Sequence, residues 1–205
     1  MLRTLWYPIE DYLLTGGVVM VPLVLVSVLM WGVIVHKLLA LKALYRHPLP
    51  VEQAVACART GQRPDSHYVG INSRLVREFL LRRSGHGTLD SHVVDEAVLV
   101  VAGGLERGLT LIGVLAAIAP LLGLLGTVVG MISTFNSIAL FGTGNARAMA
   151  GGISEALITT QTGLLIAIPG LYLRNFLQRR VANLKHQIDS LALTLKRQLN
   201  HGEGV

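Results

Sequence analysis

Three long stretches of the chain are almost free of charged residues. None occurs from Tyr12 to Val35, none from Gly108 to Ala146, and only Glu155 from Ala148 to Leu173. A helix needs about 20 mainly apolar residues to cross the roughly 30 Å hydrocarbon core of a bilayer. The pattern therefore predicts three membrane-spanning helices, at residues 16–38, 108–138 and 153–175.

The segments outside these spans also have helical periodicity. Apolar positions three and four residues apart predict short helices at 50–61 and 71–83. A third helix is expected to begin near Asp90 and to run unbroken into the second span. Beyond the third span the helix should continue, because apolar residues recur at intervals of three and four and form a seam for a partner helix. The seam residues are Val181, Leu184, Ile188, Leu191 and Leu195.

Together these patterns predict an all-α integral membrane protein with long helical extensions on its spans. A short interfacial helix at residues 1–15 precedes the first span, and a helical loop at 39–107 joins the first span to the second. A turn at 139–152 joins the second span to the third, and a C-terminal helix occupies 176–205.

Composition agrees with this class and excludes several others. Of the 205 residues 15% are charged, against about 25% in soluble domains, and the mean hydropathy is +0.55. The lone Cys57 excludes an internal disulfide and a cysteine-based zinc site. The net charge of +6 is not clustered with aromatic residues, so it does not predict nucleic-acid binding.

The basic residues predict the orientation of the chain in the membrane. The N-terminal tail and the 139–152 turn carry only Arg3 and Arg147, whereas residues 36–107 carry ten and the tail from Arg174 carries six. Basic residues concentrate on the cytoplasmic side. We therefore expect the 39–107 loop and the C-terminus in the cytoplasm and the N-terminus on the opposite side. A cleaved signal peptide is disfavoured, because the basic residues follow the first apolar run.

Small residues recur along the second and third spans, at intervals of three and four. Such stripes let helices approach closely in lipid, so helix packing is the favoured interpretation. Two prolines lie inside the same spans, where each frees a backbone carbonyl and serves either packing geometry or a hinge. The predicted packing residues are Gly123, Gly126, Gly130, Gly163, Pro120 and Pro169.

Polar side chains inside the spans are the functional candidates. An ionisable group in a span is costly unless it faces protein or water. At about 1.5 Å rise per residue, Thr127 and Thr160 lie roughly 15 Å and 12 Å from the outer ends of their spans, and Glu155 is about one and a half turns nearer the outside than Thr160. These residues predict a polar ion pathway. Thr159 and Thr162 are further candidates, although such hydroxyls can simply bond to a carbonyl of their own helix.

Motifs of enzymes are absent from the sequence. It contains no HExxH, GxSxG or GxxxxGK[ST] motif and no paired carboxylates in a span, and its histidines lack ligand spacing. The sequence therefore predicts neither an enzyme nor a bound cofactor or metal.

Two segments resemble the ExbB/TolQ/MotA proton-channel family, and the ExbB branch most closely. They are LERGLTLIGVLAAIAPLLGLLGTVVGM, beginning at Leu105, and GGISEALITTQTGLLIAIPGLYLRN, beginning at Gly151. The resemblance implies an inner-membrane subunit. It further implies that such subunits form a homopentamer around the transmembrane helices of two ExbD-like single-span partners. Ion flow then drives a TonB-like protein that energises transport across the outer membrane.

The resemblance also implies roles for individual residues. Thr127 and Thr160 match the pore threonines of the second and third spans, and Glu155 matches the glutamate at the start of the third. The protonatable Asp is expected on the partner. The run Thr159–Thr162 is more polar than is typical of the family, which leaves H⁺ or Na⁺ open. A TolQ-like subunit of the Tol-Pal system and a passive oligomeric membrane scaffold are the alternatives.

Overall fold

The computed structural model describes residue 12 and residues 15–85, 87–142 and 145–201, with only the backbone at 87, 88, 200 and 201. The predicted interfacial helix at 1–15 therefore lies largely outside the described residues. The elements of regular secondary structure in the described part are helices, as the sequence predicts. The helices are α1 (Met20–Leu44), α2 (Val51–Thr60), α3 (Ile71–Arg82), α4 (Gly87–Glu106), α5 (Leu109–Phe141) and α6 (Ala146–His201).

Helices long and apolar enough to cross a membrane occur at three places in the described chain. They are α1, a stretch within Leu89–Phe141, and a stretch within Ala146–Leu199. Many of their large apolar side chains are exposed, including Leu121 and Ile168, as expected where lipid or another protein covers the surface. The three long apolar helices fit an integral membrane protein.

The helix expected to run unbroken from near Asp90 is interrupted. Residues 107 and 108 form a turn between α4 and α5, and Gly108 has a φ of +88°, which glycine adopts without steric cost. The Lys37 ammonium donates a hydrogen bond of 2.7 Å to the Arg107 carbonyl, so it satisfies a carbonyl at the end of α4. The sequence marked Lys37 only as a charge beside a span, but its side chain is buried at the interruption.

The link between α5 and α6 is shorter than the predicted turn at 139–152. Helix α5 continues to Phe141 and α6 begins at Ala146. The Asn145 side chain accepts a hydrogen bond of 3.2 Å from the Ala148 amide, which caps the first turn of α6. From Ala146 the helix continues to His201 without interruption, as expected for a third span with a helical extension.

The described chain divides into two compact units. The first contains the residues up to Ile34 together with Thr110–Arg174. Its core is formed by one face of α1 packed on α5 and α6, and partly buried residues such as Leu122 and Ile158 pack against it. The core residues are Val19, Met20, Leu23, Val26, Ala119 and Ala167.

The second unit contains Val35–Leu109 and the chain from Asn175 onward. The five residues of the predicted apolar seam on α6 are all buried in it. Lys196 Nζ lies 2.6 Å from Asp95 Oδ2, and Lys185 pairs with Glu106. These two ion pairs place α4 alongside α6, so a helix of the same chain lies next to the seam.

We predict that the seam contributes strongly to the stability of the second unit. Leu191 is 1% exposed and Leu193, two residues further, is 59% exposed. Replacing Leu191 with Ala should lower the free energy of unfolding by about 2–5 kcal/mol, because it leaves a cavity. Leu193→Ala should change the free energy of unfolding by no more than about 0.5 kcal/mol. Denaturant unfolding of the detergent-solubilised chain, followed by circular dichroism, measures both. Equal losses in the two variants would contradict the buried seam.

Candidate functional site

Helices α5 and α6 touch through backbone atoms along their glycines. A Cβ added to Gly123 would lie 3.0 Å from the Thr159 carbonyl oxygen and 3.1 Å from the Thr160 Cα. A Cβ added to Gly130 would lie 2.9 Å from the Ala156 Cβ. Such separations leave no room for larger side chains, so the small-residue stripe sets how closely the two helices approach.

The contact continues along both helices in antiparallel order. Towards one end, Gly152 of α6 faces Thr134 of α5; towards the other, Gly163 faces Ala119. The Thr134 side chain is buried and donates its hydroxyl proton to the Gly130 carbonyl at 3.0 Å. The predicted packing glycines therefore lie in one continuous interface. The helices pass through Pro120 and Pro169 without a break.

Thr159 belongs to the interior of this interface. Its side chain is fully buried, and it occupies the space where a side chain of Gly126 would otherwise lie. The hydroxyl is 3.0 Å from the carbonyl oxygens of both Glu155 and Ala156. In this position the Thr159 side chain packs between α5 and α6 and does not reach the surface of the helix pair.

Thr160 and Thr127 lie together on one edge of the helix pair. Gly126 and Thr159 are in contact, and Thr127 and Thr160 are the next residues along their helices. Each successive residue is rotated by about 100° around the helix axis. Because the two helices are antiparallel, both rotations lead to the same edge. Both side chains are half-buried. The structure thus places the two predicted pore threonines at one level and on one side.

The hydroxyls on this edge use backbone carbonyls as acceptors. Thr160 Oγ1 lies 3.1 Å from the Ala156 carbonyl and 3.2 Å from the Gly123 carbonyl of the facing helix, and Thr127 Oγ1 lies 2.6 Å from the Leu124 carbonyl. A hydroxyl has one proton and two acceptor lone pairs. While the proton is donated to a carbonyl, the oxygen is free to accept from water or from a protonated carboxyl group.

Glu155 and Thr162 lie on a different face of α6. The Glu155 carboxylate packs against Gly17, which has a φ of +66°. The Thr162 hydroxyl lies 2.9 Å from the Tyr12 hydroxyl and also donates to the Ile158 carbonyl at 2.7 Å. Both therefore face the segment that precedes α1.

The predicted candidates thus fall into two groups. Thr160 is five positions after Glu155, which corresponds to a rotation of about 140° around the helix axis. Glu155 and Thr162 point towards the chain before α1, whereas Thr160 lies with Thr127 on the far edge of the α5–α6 pair. Within one chain the five polar candidates do not lie on one face of the helix pair.

Two of these contacts could not be predicted from the sequence. Tyr12 is 150 residues from Thr162, so no local periodicity connects them, and Gly17 was not among the small-residue stripes. A third unforeseen feature is Arg174, whose side chain occupies the space left by Gly113 and whose Nε is buried without a hydrogen-bond partner among the described atoms. Long-range packing alone creates these contacts.

We predict that adjacent glycines of α6 respond differently to substitution. A Cβ on Gly152 would lie 2.7 Å from the Gly130 carbonyl oxygen and 3.0 Å from the Thr134 amide nitrogen, whereas nothing lies within 4 Å of one on Gly151. Gly152→Ala should lower the thermal unfolding midpoint of the detergent-solubilised chain, because α5 and α6 must separate. Gly151→Ala should leave the midpoint unchanged or raise it slightly, since Ala favours helix. Identical shifts would contradict the close contact.

A second pair of variants tests the contact of Glu155 with Gly17. Gly17 and Gly142 have similar φ angles, +66° and +69°, but only Gly17 has atoms within 4 Å of an added Cβ. Both Ala variants carry the same backbone strain. Gly17→Ala should therefore destabilise the chain more than Gly142→Ala, and the excess should shrink when Glu155 is also replaced with Ala. An excess that persists in the double variant would show that the contact is not with Glu155.

Comparison with known proteins identifies the group to which these helices belong. Residues 72–190 match the MotA/TolQ/ExbB proton channel family, a region that includes α5 and the threonine-rich part of α6.

Individual relatives cover most of the chain. The biopolymer transport protein ExbB of Salmonella typhimurium is 27% identical over 188 residues, which are 85% of this chain and 77% of the relative. ExbB of Pseudomonas putida is 28% identical over 90% of this chain and 61% of its own length. An ExbB-like biopolymer transport protein of Synechocystis is 35% identical over 77% of this chain and 66% of its own. The chain belongs to the MotA/TolQ/ExbB proton channel family.

Proposed function

We propose that the chain is an ExbB-like subunit of a motor in the bacterial inner membrane that is driven by the proton-motive force. In this proposal copies of the chain surround an ExbD-like single-span partner, and ion flow drives a TonB-like protein that energises transport across the outer membrane. The observation that carries the proposal is the common position of Thr127 and Thr160 on the edge of the α5–α6 pair. On α6 that edge is about 140° from Glu155, which packs against Gly17 in the segment before α1.

The chemistry of this edge suits a carboxylate supplied by another polypeptide. Helix α5 contains no acidic residue, and Glu155 faces the segment before α1. A side chain that takes up and releases a proton at the level of Thr160 must therefore come from the partner. Hydroxyl oxygens hydrogen-bond to a carboxyl group in both of its states, because a hydroxyl can donate to the charged form and accept from the neutral one.

The proposed orientation follows from the basic residues. The N-terminus lies in the periplasm, while the second unit and the C-terminal part of α6 lie in the cytoplasm. The buried seam supports a folded domain there, because its ion pairs and apolar core are those of a water-exposed helical bundle. A homopentamer is the assembly that the family resemblance implies.

Two alternatives make different predictions about the same residues. In a passive membrane scaffold, the threonines serve only packing. Their hydrogen bonds to backbone carbonyls are compatible with that role, because such bonds satisfy the hydroxyl without any ligand. A TolQ-like subunit would conduct ions in the same way but energise the Tol-Pal envelope system instead of a TonB-like protein.

Replacing Thr160 with Val separates a pathway from a scaffold. The substitution preserves the shape of the side chain and removes the hydroxyl, so we expect partner-dependent ion flux in proteoliposomes to fall about tenfold or more, the loss expected from one hydrogen bond to a charged group. Thr194→Val is the matched control, because Thr194 makes the same kind of bond to the Ser190 carbonyl, at 3.0 Å, in the second unit. It should leave the flux unchanged.

The outcomes distinguish the alternatives. If Thr160→Val assembles with its partner and conducts like the wild type, the scaffold proposal is favoured and the ion pathway is rejected. If conduction falls but cells still depend on the chain for Tol-Pal function and not for TonB-dependent uptake, the TolQ-like alternative replaces the ExbB-like one.

A further inference from the structure

A groove of about 360 Å³ lies in the second unit, between the last turns of α1 and the part of α6 that follows residue 175. Its floor is apolar, since Leu41 and Leu177 are 5% and 0% exposed. Its walls include two exposed leucines, and two cations stand at its rim. The lining residues are Leu38, Leu39, Leu41, Lys42, Tyr45, Phe176, Leu177 and Arg180.

Aromatic rings hold one of the two cations in place. The Arg180 guanidinium carbon lies 5.3 Å from the centre of the Phe176 ring and 5.7 Å from the centre of the Tyr45 ring. The Tyr45 hydroxyl also donates to the Arg180 carbonyl at 3.4 Å. Such cation–π contacts orient an arginine without neutralising its charge. Among the described residues, no carboxylate forms an ion pair with Arg180 or Lys42.

A second groove, of about 520 Å³, adjoins the first and shares Leu39 and Lys42 with it. It adds Arg46 and His47 to the basic side chains at this end of α1. None of the described residues that line either groove is acidic. The combined surface therefore has an apolar floor and a rim that carries only positive charge.

This combination is complementary to an amphiphilic anion. Clusters of Lys and Arg directly beside a transmembrane helix on the cytoplasmic side attract anionic lipid headgroups, and the arginine fork matches the geometry of a phosphate. A free phosphate would use the cations alone and would gain nothing from the exposed apolar side chains of Leu38, Leu39 and Phe176. The apolar floor is the feature that favours a lipid.

We propose that the two grooves together bind one anionic phospholipid of the cytoplasmic leaflet. Its phosphate contacts Lys42 and Arg180, and an acyl chain lies along the exposed side chains of Leu38, Leu39 and Phe176. The placement at this leaflet rests on the orientation proposed above, but lipid binding does not depend on ion conduction. The two proposals can therefore fail separately.

Calorimetric titration of the detergent-solubilised full chain tests the site. The probes are dioctanoyl phosphatidylglycerol, dioctanoyl phosphatidylcholine and inorganic phosphate. We expect the phosphatidylglycerol to bind more tightly than the phosphatidylcholine and inorganic phosphate to compete poorly. Lys42→Gln and Arg180→Gln should each weaken phosphatidylglycerol binding about fivefold, the value expected for one cation near an anionic headgroup. Both effects should decrease at high salt.

Arg179→Gln is the matched control, because Arg179 is an exposed neighbour that lines neither groove. It should bind phosphatidylglycerol like the wild type. Lys42→Gln is the decisive variant, since Lys42 is exposed and its replacement should not disturb the fold. Equal affinity for both lipids, or equal losses in Lys42→Gln and Arg179→Gln, would overturn the proposal. If inorganic phosphate binds as tightly as the phosphatidylglycerol, the grooves form a general anion site and the lipid proposal is rejected.

Discussion

The backbones of α5 and α6 approach each other closely because neither helix has a large side chain in their interface. In lipid the hydrophobic effect does not drive helices together, so association depends on van der Waals contact and interhelical hydrogen bonds. Gly123, Gly130 and Gly152 supply surfaces on which the facing backbone can lie directly. Once these surfaces are in contact, the rotation of each helix is fixed. That rotation decides which threonines are enclosed and which reach the edge.

Four threonines illustrate how position on a helix determines the role of one residue type. Thr159 is enclosed between the helices, Thr162 faces Tyr12, and Thr160 and Thr127 share an exposed edge. All four hydroxyls donate to a carbonyl of their own helix, so local hydrogen bonding does not distinguish them. The difference lies in what else can reach each hydroxyl oxygen.

Much of the fold follows from the sequence, because charge-free length and apolar periodicity are local properties. The three apolar helices, the two short helices and the buried seam on α6 were predicted in this way. The interruption at Gly108 was not, and the Lys37 side chain that donates to the Arg107 carbonyl there comes from 70 residues away. The candidate site was predictable in its residue types and in the common depth of Thr127 and Thr160. The 140° between Glu155 and Thr160 follows from their spacing, but the contact of Glu155 with Gly17 could not be foreseen without knowing how the segment before α1 packs.

The contact of α1 with the other two apolar helices has a consequence for biosynthesis. Val19 and Leu23 share a core with Ala119 and Ala167, so α1 can meet α5 only after about another hundred residues have been made. In water such an unpartnered apolar face would invite aggregation. Within the bilayer, acyl chains solvate this apolar face of α1 at little cost. Helix α1 can therefore be inserted before α5 and α6 have been made. Membrane insertion of α1 therefore does not require the contacts that α1 makes in the folded chain.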